Sequence, residues 1–191
     1  KEKIEQLKEK LTGSYGIECR TYLCDVSDAA QVEKVFAGVG EVDVLVNNAA
    51  ISYVGLLTDM SVDDWQRVIG TNLNALFYTC KQAVPGMVFR KSGKIINISS
   101  VWGKAGASME VAYSAAKGGV DSFTRALAKE LAPSNIQVNA IACGVIDTDM
   151  NRCFSEEERA MIIEDIPTDR MGTVDEIAQT VVMLLDAPAY L

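Results

Sequence analysis

Two spacings of apolar residues alternate along this chain. Ile4, Leu7 and Leu11 recur every three or four positions among Lys and Glu, which predicts an amphipathic helix over 1–14. IECRTYLC, 17–24, reads as a strand ending at Asp25, and 28–39 reads as a second helix with Asp28 as its cap. VDVLV, 42–46, is an almost purely apolar, β-branched run, as expected of a strand covered on both faces of a parallel sheet. Residues 62–90 read as helix in two pieces, KIINIS (94–99) as the next buried strand, and 111–132 as a long helix stopped before Pro133. IQVNAIA, 136–142, is a further strand. A mixed stretch, 148–170, carries the acidic run Glu156, Glu157, Glu158, which suits a solvated helix face. A closing helix over 173–186 lines up Val174, Ile177, Val181 and Leu184.

Alternating strands and helices predict an α/β fold: one Rossmann-like domain over 1–191, with a doubly wound parallel sheet, right-handed crossovers and 148–170 as a lid. Ligands of such sheets bind beyond the carboxyl ends of the strands. Asp25, Asn47 and Asn48, Ser99 and Ser100, and Gly144 through Thr148 follow the four strands read here. Small or polar residues at four successive strand ends point to a binding crevice.

Composition narrows the chemistry. The 191 residues are 49% hydrophobic and 23% charged, with a net charge of −8, which disfavours nucleic acid and anionic membranes as partners. No apolar run approaches the ~18 residues needed to span a bilayer. Five cysteines without a CxxC read as reduced thiols of a cytoplasmic protein. The chain has no His, which excludes a Ser-His-Asp hydrolase, a Cys-His protease and a His-ligated metal. Proton chemistry falls to Tyr, Lys, Asp, Glu, Ser or Cys.

Tyr113 and Lys117 lie four residues apart, on one face of the 111–132 helix. A free phenol has a pKa of about 10, and a nearby ammonium lowers it at ~1.4 kcal/mol per unit, towards the range useful in acid–base catalysis. A bare YxxxK is more often an ordinary surface pair. Here Ala112, Ser114, Ala115, Ala116, Gly118 and Gly119 leave room for something to pack close to the helix. Ser100, just past a buried strand, can donate to a carbonyl oxygen, although a capped turn explains Ser99-Ser100 equally well.

Taken together, Asn47-Asn48-Ala49, Asn72, Ser100, Tyr113-x-x-x-Lys117 and Gly144 resemble the short-chain dehydrogenase/reductase family, from about Cys24 to Leu191. Gly93 through Ser100, Tyr113 through Gly119 and Val138 through Ala142 most resemble its bacterial 3-oxoacyl-acyl-carrier-protein reductases. Trp102 through Ala112 and Ala142 through Asn151 are similar to a subgroup that reduces an aminopentanone group on a lysine of elongation factor P.

The resemblance implies a role for each residue. Tyr113 protonates the carbonyl oxygen as hydride arrives. Lys117 lowers the Tyr113 pKa and binds the nicotinamide ribose. Ser100 polarises the carbonyl. Asn72 fixes a water that relays protons to Lys117. Asp25 and Val26 meet the adenine, Asn47 and Ala49 line the cofactor cleft, and Gly144, Ile146 and Thr148 lie against the nicotinamide. Trp102, Met109, Met150 and Met161 are candidates for the substrate side, with simple packing the plainer reading. NADP is the implied cofactor, with NAD not excluded, and the implied substrate is a 3-oxoacyl thioester, with acyl carrier protein as a partner. A homotetramer built through 72–90 and 111–132 is implied too. The rival functions are the elongation factor P reduction and a non-catalytic nucleotide binder.

Three departures from the family stand out. The opening strand with its TGxxxGxG turn, and the closing strand, are expected before residue 1 and after Leu191. Ala50 stands where glycine is usual, and Cys143 where proline is usual, the latter read as a small buried hydrophobe.

Overall fold

A computed structural model describes residues 2–189, without the side chains of Arg152 and Cys153. Helix α1 covers Glu2–Tyr15 and α2 Ala29–Val39, the latter capped by Asp28, whose carboxylate accepts from the N–H groups of Ala30 and Gln31. Strand β1 is Val44–Asn47. Helices α3 (Val62–Ile69) and α4 (Ala75–Arg90) follow, joined by a π-helical turn over Gly70–Asn74. Then come β2 (Gly93–Ser100), a single helical turn α5 (Trp102–Ala105), the long α6 (Val111–Leu131) and β3 (Ile136–Cys143). A 3-10 turn over Asp149–Cys153, α7 (Glu156–Glu164) and α8 (Val174–Asp186) complete the order.

The three strands form one parallel sheet in the order β1-β2-β3, with Asn47 opposite Asn97 and Ser100 opposite Cys143. Each crossover between neighbouring strands is helical, as parallel pairing requires. Alternation along the strands distributes side chains between the faces. Ile95 and Val138 meet Cys80, Ala83 and Met87 of α4 and Leu131 of α6 in the buried core. Lys94, on the opposite face, donates to the carbonyls of Leu185 (2.5 Å) and Ala187 (2.9 Å) and so holds the end of α8. Helices therefore cover both faces, the doubly wound arrangement expected from the chain.

One expected strand is not formed. Residues 16–25 are irregular, and Ile17 and Leu23 are exposed. A strand exists through its ladder, and no described residue pairs with this segment. It is held instead by side chains, with Thr21 Oγ1 donating to Glu5 (2.7 Å) and Tyr22 Oη to the Gly38 carbonyl (3.2 Å). The outer edge of β1 is likewise unpaired among the described residues, and Val44 and Val46 are half exposed.

The small residues around Lys117 have a packing reason. A Cβ on Gly103 of α5 would fall 2.7 Å from the Lys117 carbonyl carbon, and one on Gly118 would fall 3.0 Å from the Gly103 oxygen. Turn α5 and helix α6 thus touch backbone to backbone. Gly103→Ala is expected to push α6 outwards and lower stability by about 1–3 kcal/mol. Urea unfolding of the variant beside the parent measures this.

Candidate active site

Residues from the ends of all three strands, from α6 and from α8 converge on a cavity of about 800 Å³ at the carboxyl edge of the sheet. Ser100 reaches it from the end of β2, Tyr113 and Lys117 from the first two turns of α6, and Cys143 through Thr148 from the end of β3. Such a volume suits a ligand of cofactor size. Its far wall is apolar, formed by Met150, Phe154 and Ile162 of the 148–170 segment and by Ile177 and Val181 of α8.

Lys117 is only 3% exposed. Its Nζ donates to the Ile98 carbonyl at 2.7 Å and stands 5.5 Å from the centre of the Tyr113 ring. Burial lowers its pKa from 10.5 to about 8, against the opposing pull of Cys143 and Asp121. Burial also dominates at Tyr113 and raises the phenol. Its hydrogen bond with Ser100 acts in the lowering direction, while Glu110 and Cys143 add to the rise. The expected lowering of Tyr113 by Lys117 is therefore not the net result, because removal from water penalises the phenolate more. Ser100 is 6% exposed, and its Oγ also accepts from the Trp102 N–H at 3.2 Å.

The other expected residues divide. Trp102, Gly144, Ile146, Thr148 and Met150 line the cavity. Asn47 and Ala49 do not; Val46, Asn48 and Ala50 do, because alternate residues of an extended chain face opposite ways. Asn47 points towards α4, accepting from Thr79 (2.8 Å) and donating to Asn97 (2.9 Å), which in turn donates to Thr124 (2.9 Å). Asp25 and Val26 lie outside the cavity; the Asp25 carboxylate accepts from the Ser27 N–H (2.9 Å) and hydroxyl (2.7 Å), which lowers its pKa. Met109 and Met161 do not line the cavity and are largely exposed. Asn72 is buried, and its amide is committed to Ile51, accepting from the N–H and donating to the carbonyl, both at 2.8 Å. It pins the loop after β1 with one N–H and one lone pair of its amide.

Glu110 and Ser52 were missed by the sequence reading. Both line the cavity, and Ser52 Oγ donates to Glu110 at 2.6 Å. The signal was available for Glu110, which stands three residues before Tyr113 on the same helical face. For Ser52 there was none, since a loop has no period.

The short chain dehydrogenase profile matches residues 1–159. The chain belongs to the short-chain dehydrogenase family. It is 40% identical over 187 residues to a 3-oxoacyl-[acyl-carrier-protein] reductase of Chlamydia pneumoniae, an alignment covering 96% of this chain and 75% of that one. It is 41% identical over 191 residues to the protein of that name from Pseudomonas aeruginosa (97% and 77%). An uncharacterized oxidoreductase of Bacillus subtilis is 37% identical over 185 residues (96% and 76%). Among solved structures, a xylitol dehydrogenase with NAD+ bound superposes with a TM-score of 0.92 at 28% identity, covering all of this chain and 81% of that one. A putative gluconate dehydrogenase from Agrobacterium tumefaciens gives 0.89 at 34% identity, with 94% and 73% covered.

The donor set suits the nicotinamide end of a dinucleotide. An ammonium has three protons, and Ile98 O is the acceptor seen for Lys117 among the described residues. Gly144 adds open space, since a Cβ there would meet nothing within 4 Å.

The buried ammonium also leaves a pH signature. From about pH 8 to 10.5 the unfolded chain keeps the Lys117 proton and the folded chain does not, so Lys117 makes stability rise with pH across that window. Lys117→Met is expected to abolish that rise, as read from urea unfolding at about pH 8 and about pH 10.

Proposed function

We propose that this chain reduces a ketone to a secondary alcohol with a reduced nicotinamide dinucleotide. We propose further that its substrate is a 3-oxoacyl thioester on an acyl carrier protein or coenzyme, and that NADPH is its donor. The observation that carries the reduction is the meeting of Ser100, Tyr113 and Lys117 at one cavity wall. The relatives named 3-oxoacyl-[acyl-carrier-protein] reductases support the thioester.

The dinucleotide, when bound, supplies the hydride to the carbonyl carbon. Tyr113 Oη donates the proton to the carbonyl oxygen. A phenol whose pKa is raised by burial is fully protonated at neutral pH, which suits a proton donor. The Ser100 hydroxyl holds the same oxygen while negative charge develops there. Lys117, fixed by Ile98 O, is still mostly charged at neutral pH; it stabilises the phenolate left behind and offers its remaining protons to ribose hydroxyls. Gly144, Ile146 and Thr148, which line the cavity, would hold the nicotinamide, and Asn72 acts as a positioning residue through Ile51. The 148–170 segment serves as the lid over the substrate. Two exposed aromatic residues of α4, Phe77 (51%) and Phe89 (89%), support assembly into a homotetramer through α4 and α6.

Purified protein with acetoacetyl thioester is expected to consume NADPH, and Tyr113→Phe to lower kcat by about 100- to 10,000-fold. Loss of NADPH absorbance measures both. A tyrosine variant with the parent's rate overturns the mechanism, and no turnover of the thioester removes that substrate. Light scattering is expected to return four times the mass of the chain.

A further inference from the structure

The described residues lining the main cavity include two charged side chains, Lys117 and Glu110. The Lys117 ammonium is committed to Ile98 O. Among the described residues, the only other charged side chain lining this cavity is the Glu110 carboxylate. It stands at the start of α6, one turn before Tyr113, yet accepts no hydrogen bond from the N–H groups of that helix. Its partner is the Ser52 hydroxyl, at 2.6 Å, so it is anchored from across the cavity. The adjoining cavity of about 540 Å³ shares Trp102, Gly144 and Ile146 with the first and does not offset this charge. There Arg170 is paired with Glu176 through both its terminal nitrogens (2.9 and 2.6 Å), and Asp165 adds another carboxylate.

We propose that Glu110 is a charge filter: it admits ketones that are neutral or positively charged near the carbonyl and excludes those carrying a carboxylate there. A carboxylate held beside Tyr113 repels an anion brought to the same wall in a partly dry space. A free 3-oxo acid carries such an anion one methylene from its ketone; its thioester or ester does not. Glu110 would therefore select the esterified substrate over the free acid. This inference rests on the ketone-reducing reading and sharpens it.

Acetoacetate and methyl acetoacetate form the test pair, since they share the ketone and differ in charge. The parent protein is expected to favour the ester in kcat/KM, and Glu110→Gln to shrink that ester-to-acid ratio by about tenfold or more. Glutamine keeps the acceptor for Ser52 and removes the charge. Glu110→Asp is expected to retain the preference. Taking the ratio cancels both the intrinsic reactivity of the two ketones and any effect on Tyr113 common to them. A ratio unchanged in Glu110→Gln, or a parent indifferent to the charge, overturns the filter. Calorimetric binding of acetoacetate and methyl acetoacetate, with the oxidised dinucleotide present, reads the same preference without turnover, since that dinucleotide has no hydride to give. A preserved binding preference with no reduction of either ketone sinks the reductase reading alone. Reduction of both at equal kcat/KM sinks this one alone.

Discussion

Removing the Lys117 ammonium from water is the constraint around which the site is arranged. A buried cation is costly unless its protons find acceptors and its charge finds a counterpart. Here the Ile98 carbonyl, at the end of the central strand, takes one proton, and the electron-rich face of Tyr113 stands nearby. Both partners come from elements whose positions are already set: β2 by pairing on both edges, and α6 by its packing against α5 through Gly103 and Gly118. The chemistry therefore inherits its precision from the sheet and not from a loop.

A second polar system keeps the sheet and its helices in register. Thr79, Asn47, Asn97 and Thr124 form one hydrogen-bonded chain from α4 through β1 and β2 to α6, ending on the Val120 carbonyl. Asn97 is fully buried, so each of these bonds removes an otherwise unsatisfied group from an apolar setting. The same chain explains why Asn47, at the end of β1, turns away from the cavity.

The electrostatics of the cavity are lopsided. One cation is buried, hydrogen-bonded and shifted towards neutrality, while one carboxylate lines the same cavity from the start of the same helix. Tyr113 lies between them, with burial and Glu110 favouring its protonated form and Ser100 favouring the ionised one. Glu110 thus bears both on the protonation of Tyr113 and on the charge of the cavity.

Much of this was legible in the chain. Apolar periodicity located α4, α6, α8, β2 and β3 closely, because both faces of the central strands and one face of each helix are covered within the chain. The Ser100, Tyr113 and Lys117 trio was legible through the resemblance carried by the motifs around it, since its spacing alone also fits an ordinary surface pair and a capped turn. Other features depended on partners far away in sequence. Residues 17–24 have the composition of a strand but find no ladder, and strand pairing is a property of two segments rather than one. Which of Asn47 and Asn48 faces the ligand was decided by strand phase, the commitment of Asn72 to Ile51 by the fold of the loop after β1, and the rise of the Tyr113 pKa by burial. The sequence by itself determined which groups could react. Only the tertiary structure decided how dry they are, which way they point and that Glu110 shares their cavity, since solvent exclusion and direction arise from packing between distant segments.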